Sequence, residues 1–483
     1  MRTWLCVAVL LTAGCSGASS PGSAPGPAGT LPNASSRQLL ADTAVAQIGA
    51  APDSVAAAVT VSNVPGPAIS RLVLGANMAN WYDITQSGIA ASLVNAGFTA
   101  TRWPGGSESD LYHWQTNSLC AGGYSDVNST FDNFMQQVAV PAALDVAVTL
   151  NYGSNAACNG GGDPTEAAAW VAEAKNAGYP VHTWTVGNEV YGSWEYDLHA
   201  KPNNPATYAS AVASGYYPDI KAQDASAQVG VVVSPGGSWD STVLSNARYD
   251  FVEYHYYAQA PGSENDATLL ANGPQQLTQG VNAVKSDLAA AGHPDTPIYV
   301  GELGSVYANP GKQSTSIVQA LFAGMAVSEL MNDGVSRATW WLAYGGCSDS
   351  SSGNFSSSLY GWQNFGGYMI VSDGTPEYGC SNATAVPRGT LLPTAQAYKL
   401  LVPFAQDGEH SLATSVASVT LPVQIAGIHG ASSVTVHTYG KAQYDLSQNN
   451  VWHGSVYHEK GPYQGKATFT LPPWSMTVAI VRP

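Results

Sequence analysis

Positive charge is scarce in this chain. Lysine and arginine supply 17 of its 483 residues against 33 aspartates and glutamates, for a formal net charge of −16. The few cations are scattered, so a phosphate backbone would be repelled over most of the surface, and nucleic acid is set aside as a partner. Long apolar runs are also missing: beyond the first 15 residues no stretch is long and apolar enough to span a bilayer. There is no Gly-x-Gly-x-x-Gly or phosphate-loop pattern and no close cluster of His, Asp and Glu, and the six cysteines are too widely and irregularly spaced for a zinc site. No cofactor and no metal are therefore expected. Charged residues of both signs make up only 10%, yet the 45% hydrophobic and 10% aromatic content is that of a folded globular protein and not of a disordered one.

What is present begins with an export pattern. Residues 1–15 carry one cation, Arg2, then an apolar stretch and a run of small residues ending at Cys15. Small residues before that cysteine resemble a bacterial lipobox, which would make Cys15 the lipidated first residue of the mature chain; ordinary signal cleavage is the alternative. The expected location is exported, as a cell-surface lipoprotein or a secreted protein, with membrane contact only through Cys15. Residues 16–52 open with a stretch rich in Ser, Pro, Gly and Ala that has little to bury and reads as a tether. Loss of the leader removes Cys6 and Cys15 and leaves Cys120, Cys158, Cys347 and Cys380, an even number in an exported chain. Four cysteines allow three pairings. Cys120 with Cys158 and Cys347 with Cys380 is favoured, because each pair sits in neighbouring Gly- and Ser-rich loops.

Eight short apolar runs follow, at residues 71–77, 100–103, 145–152, 182–189, 228–234, 251–257, 298–302 and 337–343, nearly all succeeded by a helix-like segment. Strands alternating with helices argue for parallel β/α packing, and eight is the number that closes a barrel. Helix punctuation supports the count: Asp163, Pro164 and Glu166 open one helix, Asn204 and Pro205 the next. The segment between the fifth and sixth runs is the least helix-like. Val318, Leu321, Phe322 and Met325 form a stripe at i, i+3, i+4 and i+7 that should face the sheet. Past residue 344 come a short helical stretch at 396–401 and alternating runs at 416–425, 434–439, 467–471 and 477–481, which suggest a small antiparallel sandwich. A weak strand signal at 53–62 is expected to join it. The expected fold is thus an α/β (β/α)8 barrel over residues 70–392 with a β-sandwich over 393–483, residues 53–69 contributing its extra strand, in a monomeric chain.

Two glutamates stand out against this frame. His182-Thr-Trp-Thr-Val-Gly-Asn-Glu189 closes the fourth run and Pro297-Ile-Tyr-Val-Gly-Glu302 closes the seventh, and the C-terminal end of barrel strands is where active sites are built. Cutting a glycosidic bond needs one group to protonate the departing oxygen and another to meet positive charge at the anomeric carbon, and two carboxyls can do both. Two carboxyls about 5 to 5.5 Å apart are not both comfortably ionised, so a proton is expected to stay on the acid.

Val-Gly-Asn-Glu at 186–189 and the glutamate at 302 resemble the retaining glycoside hydrolases whose acid/base follows strand four and whose nucleophile follows strand seven. Arg-Trp-Pro-Gly-Gly-Ser at 102–107 and Tyr-His-Tyr-Tyr at 254–257 are similar to the α-L-arabinofuranosidases and their relatives, as is Leu-Pro-Pro-Trp-Ser-Met-Thr-Val at 471–478 to their sandwich domain. The resemblance implies Glu189 as acid/base, Glu302 as nucleophile and Asn188 as donor to the sugar hydroxyl beside the anomeric carbon. It further implies that Arg102 holds the nucleophile ionised, that His255 and Tyr257 orient it, and that Trp341 floors the sugar site. Leu-Gly-Ser after Glu302 departs from the family and leaves the sugar open among arabinofuranosides, xylosides, glucuronides and β-glucans. Asn77 and Asn151, at strand ends, are candidate sugar contacts, and Asn80, Trp81, Glu108, Asp110 and Tyr152 lie on the same rim. The rival classes are a surface lipoprotein that binds glycans without cutting them and a sugar-capturing transport lipoprotein. Paired acids at separate strand ends disfavour the first, and an eight-unit count with an all-β tail disfavours the second.

Overall fold

The structure, a computed structural model, describes residues 9–11, 57–60, 68–343 except 87, 309–312, 314 and 315, and then 391–407, 410–415, 421–429, 433–440, 455–460, 464–471 and 474–482. Cys15, Cys347, Cys380 and the 16–52 tether lie outside these residues.

Eight parallel strands close a barrel in chain order: β1 (Gly75–Asn77), β2 (Ala100–Trp103), β3 (Asp145–Leu150), β4 (Val181–Val186), β5 (Gln228–Val232), β6 (Phe251–Tyr257), β7 (Ile298–Gly304) and β8 (Arg337–Trp340). Six fall within the apolar runs of the sequence, β4 starts one residue before its run and β7 extends two residues past its own. In the first run, residues 71–73 instead form a 3-10 turn, capped by the Ser70 hydroxyl accepting from the Leu72 amide at 3.2 Å. Helices α1 (Ile89–Ala96), α2 (Phe131–Phe134), α3 (Pro164–Asn176), α4 (Pro205–Ala211), α5 (Tyr217–Gln223), α6 (Ser238–Asn246), α7 (Asp266–Ala290) and α8 (Ile317–Asn332) surround the ring. The anticipated caps are formed. Asp163 accepts from the Thr165 amide at 2.8 Å and Asn204 from those of Ala206 and Thr207, each with proline at the next position, where its missing N–H is no loss. The segment expected to be least helical is α6.

Ala147, Phe251 and Tyr299 pack together inside the barrel, and at the base Arg337 reaches across to Asp145. With one end filled in this way, polar side chains can converge only toward the other. α8 is buried almost all round and not along one stripe. Its outer side is covered by α9 (Pro393–Asp407) and by a strand from the C-terminal region, whose Met476 seats against Gly324. Tyr398 of α9 contacts Phe98 at a ring separation of 4.8 Å.

Of the expected sandwich, the structure gives two small sheets. His410–Ser415, Ser475–Arg482, Ser433–Tyr439 and Ser455–Lys460 pair antiparallel, with Val9–Leu11 added in parallel at one edge. In the other sheet Leu421–His429 pairs antiparallel with Gln464–Leu471 and parallel with Ala57–Thr60. Cys120 and Cys158 form a disulfide that ties the excursion after β2, including the hairpin of Tyr112–His113 and Ser118–Leu119, to the loop after β3. Among the described residues no helix is long and apolar enough to cross a membrane.

Candidate active site

Side chains alternate along a strand, so Glu253, His255 and Tyr257 of β6 share one face, and that face looks into the barrel. His255 is the direct pairing partner of Glu302 on β7, and Arg102 on β2 is that of Asn77 on β1. Four strands thereby deliver their polar residues to one level, and the turn after β4 adds Asn188 and Glu189.

Arg102 is fully buried, and its guanidinium is shared among four partners. Nε lies 2.8 Å from Glu253 Oε1 and Nη1 3.0 Å from Glu302 Oε1, while Nη1 also donates to Asn77 Oδ1 at 3.2 Å and Nη2 to Asn188 Oδ1 at 2.8 Å. A buried charge is tolerated only when paired in this way. Burial pulls the Arg102 pKa down, but the charges of Glu253 and Glu302 raise it above its ordinary value, so it is a permanent cation. His255 is the second. Its Nδ1 lies 3.0 Å from Glu189 Oε1 and 3.8 Å from Glu302 Oε2, and its Nε2 lies 3.0 Å from Glu253 Oε1. Burial works against its protonation, but the charge of Glu302 and the bonds to Glu189 and Glu253 push the imidazole up to about 10. At neutral pH both ring nitrogens donate.

Burial raises the Glu189 carboxyl too, yet the hydrogen bond and charge of His255, with donors from Trp194 and Tyr191, bring it below the ordinary carboxylate value. The sequence argument put the shared proton on Glu189. In the structure His255 stands between the two carboxyls, and the raised imidazole and lowered Glu189 favour the proton on the ring. Glu253 is also held low: burial is outweighed by Arg102, then by His255 and Thr185. The Tyr257 hydroxyl donates to Glu302 Oε2.

Above this floor opens a cavity of about 930 Å³. Glu189, Glu302, Asn188, Tyr257 and Trp341 line it, together with Trp81, Gly106, Ser107, Glu108, Trp194 and Tyr307. Trp341, and not Trp340, faces the cleft; Trp340 packs outward against Phe322 and Tyr398. Trp341 can lie there because Gly105 and Gly106 carry no Cβ, which would come within 2.7 and 2.8 Å of its ring. Arg102 and His255 lie beneath the cavity and not on its wall.

Two candidate sugar contacts have other duties. Asn77 is buried, donating to the Gly301 carbonyl at 2.9 Å while its oxygen faces Arg102. Asn151 spends its amide on the Tyr112 carbonyl at 3.1 Å and on Ser154, as a clamp on the β3 loop. Neither lines the cavity.

Several functional neighbours were not singled out in the sequence. Glu253 is one, although its two-residue spacing from His255 is a signal that could have found it. Tyr191, Trp194 and Glu195, in the loop after Glu189, are the others. The Tyr191 hydroxyl and the Trp194 indole donate to Glu189 at 3.1 and 2.9 Å. Glu195 accepts from Asn188 Nδ2 at 3.0 Å and from Ser107 at 2.8 Å, and burial with the charge of Asp110 pushes its carboxyl up to about 8. Asp110, placed on the rim by the sequence, is buried under the turn, where it accepts from the Asn188 and Tyr152 amides; burial lifts it to about 7 against those bonds.

No protein-family model matches the sequence, and no match was found among curated proteins. Solved structures do share the fold. An α-L-arabinofuranosidase of glycoside hydrolase family 51 from Thermotoga petrophila superposes with a TM-score of 0.62 at 17% identity, covering 86% of this chain and 97% of that one. A bifunctional glucanase-xylanase from a metagenome library gives 0.58 at 14% identity, over 88% and 98%. A monomeric β-xylosidase from Caulobacter crescentus gives 0.58 at 15%, over 86% and 97%. This chain is similar in fold to these carbohydrate-active barrels.

Proposed function

We propose that this protein is an exported glycoside hydrolase acting with retention of configuration on polysaccharide or oligosaccharide. Glu302 is its nucleophile and Glu189 its general acid/base. One observation carries the reading. A single imidazole nitrogen lies 3.0 Å from an oxygen of Glu189 and 3.8 Å from an oxygen of Glu302; laid end to end these distances sum to 6.8 Å, the greatest separation the two oxygens can have. Retaining enzymes hold their carboxyls about 5 to 5.5 Å apart and inverting ones about 6.5 to 9.5 Å, so this bound supports the retaining reading by excluding most of the inverting range.

The chemistry follows from the floor. Glu302, paired with Arg102 and oriented by Tyr257, attacks the anomeric carbon. Glu189 takes up a proton from solvent as the substrate binds and passes it to the departing oxygen, while the His255 imidazolium stays hydrogen-bonded to its other oxygen and orients it. The ester that forms removes the charge of Glu302, and Glu189, an anion again, deprotonates the water that cleaves it.

The first substrate to try is an α-L-arabinofuranoside, on the strength of the Arg-Trp-Pro-Gly-Gly motif and the named arabinofuranosidase of similar fold. Xylosides, glucuronides and β-glucans come next. The two C-terminal sheets facing one another as an appended sandwich, and a lipid on Cys15, belong to the same proposal; mass spectrometry of the mature amino terminus tests the lipid.

Reducing-sugar release from arabinans, xylans, glucans, galactans and aryl glycosides, by the mature chain and by Glu302→Ala side by side, tests the activity. Release should fall by a factor on the order of 10⁴ or more in the variant. Release that survives the substitution would remove Glu302 from its role. Binding of glycans without any release would turn the protein into a lectin.

A further inference from the structure

Trp194 combines two properties that rarely meet. Its ring is 65% exposed at the mouth of the cavity, yet its indole N–H donates to Oε2 of Glu189 at 2.9 Å. The other carboxylate oxygen, Oε1, is held by His255 and Tyr191 at 3.0 and 3.1 Å. Oε2 is thus the oxygen left to meet a glycosidic oxygen, and the indole occupies it.

The ring itself is lightly held. It lies over Gly192, where a Cβ would come within 2.3 Å of the indole, and it touches Tyr191 edge-on at a centroid separation of 6.2 Å. The backbone beneath is fixed. Asn203 donates to the carbonyls of Gly192 and Val190 at 2.8 and 3.3 Å, and the Gly192 amide donates to the Glu189 carbonyl at 2.7 Å. Movement of the ring costs one hydrogen bond and an edge contact, and leaves the loop in place. An exposed indole face is the surface on which the C–H face of a sugar stacks.

We infer that Trp194 is the platform for the sugar that departs, and that it surrenders its hydrogen bond to Glu189 when that sugar brings the glycosidic oxygen to Oε2. The inference rests on the proposed glycosidase activity and adds a coupling to it. With the indole in place Glu189 carries three donors and is stabilised as an anion. Displacing one of them favours the protonated acid only when a leaving group is there to receive the proton. The groups that face this carboxyl are His255 from β6, Tyr191 and Trp194 from its own loop, Glu302 of β7 beyond the imidazole, and Glu195 farther along the loop. Trp194 is the exposed donor among the three that bond it.

Wild type, Trp194→Ala and Trp194→Phe are compared on an oligosaccharide and on the glycosyl fluoride of the same sugar, whose leaving group has no face to stack and little need of an acid. Thermal melts check that the variants are folded. The alanine variant should lose about tenfold more kcat/KM on the oligosaccharide than on the fluoride, chiefly through KM. The phenylalanine variant keeps the ring and drops the donor, so its oligosaccharide KM should hold while the alkaline limb of kcat/KM moves to higher pH. Equal losses on both substrates in the alanine variant, or an alkaline limb that stays put in the phenylalanine variant, would overturn the inference while leaving the glycosidase reading intact. A wild type that cleaves neither substrate would overturn that reading, and this inference with it.

Discussion

Glu253 shows how a residue outside the proposed reaction would govern it. Its carboxylate touches both buried cations, Arg102 and His255, and lies well inside the barrel. Glu253→Gln keeps the shape and removes the charge, so the burial of both cations loses support. Breaking one partner out of a buried ion pair costs about 3 to 5 kcal/mol, and a loss of that size should appear in chemical denaturation. The imidazole should also titrate lower, since one of the groups that raises it is gone, and the alkaline limb of activity should move down in pH. A variant with unaltered stability and pH profile would show that Glu253 is a bystander. The residue was readable in principle: Phe-Val-Glu-Tyr-His-Tyr-Tyr places 253, 255 and 257 on one face of a strand. Asn151 illustrates the opposite. Its place at a strand end was legible, but only the path of the following loop decides whether its amide faces sugar or its own backbone.

Among the elements, the strands of the barrel were the most legible, because each is a short apolar run bounded by turn residues. Helix α6 was obscured by its polar sequence, Ser-Trp-Asp-Ser-Thr-Val-Leu-Ser-Asn, and is held by the burial of Trp239, Val243 and Leu244. The stripe on α8 was also read correctly as a face, but periodicity within a helix does not reveal that distant segments cover its other side, as α9 and Met476 do. The excursion after β2 packs Tyr112, Trp114 and Leu119 against the core and is tied to the β3 loop by the Cys120–Cys158 link. Replacing both cysteines with serine should lower stability by about 2 to 4 kcal/mol. Since neither cysteine lines the cavity, reductant should lower Tm well before it lowers activity at room temperature. Loss of both together would place the excursion in the catalytic machinery.

For the molecule as a whole, buried titrating groups pull in opposite directions. Glu189 and Glu253 sit below their ordinary value of 4.5, so what they add to stability is present above that pH and is lost as the pH falls. His255 is raised from 6.5 to about 10, so its contribution is whole below 6.5 and disappears as the pH rises through 10. Asp110 and Glu195, raised from 3.8 to about 7 and from 4.5 to about 8, act in the same sense at lower pH: their neutral forms fit the fold, so their contribution is whole below 3.8 and 4.5 and is lost as the pH rises to about 7 and about 8. Tm should therefore peak well on the acidic side of neutral, near pH 4.5, and Glu195→Gln should flatten the fall between about 4.5 and 8. A maximum at pH 8 or higher would contradict these assignments. None of this was legible in composition, which gives the net charge of −16 but not which carboxyls are buried.

The floor of the cleft also has an electrical consequence. On the floor itself three carboxyls, Glu189, Glu253 and Glu302, face two cations, Arg102 and His255, so the floor has an excess of one negative charge, with Glu108 on the wall above it, among tryptophans and tyrosines where water screens it poorly. Such a site is a trap for a small ring bearing a protonated nitrogen, which presents from the start the positive charge that a sugar acquires only while its bond is breaking. Once Glu302 is esterified the balance falls to zero. The same inhibitor would then find nothing to hold it, and the covalent intermediate should be indifferent to a compound that blocks the resting enzyme.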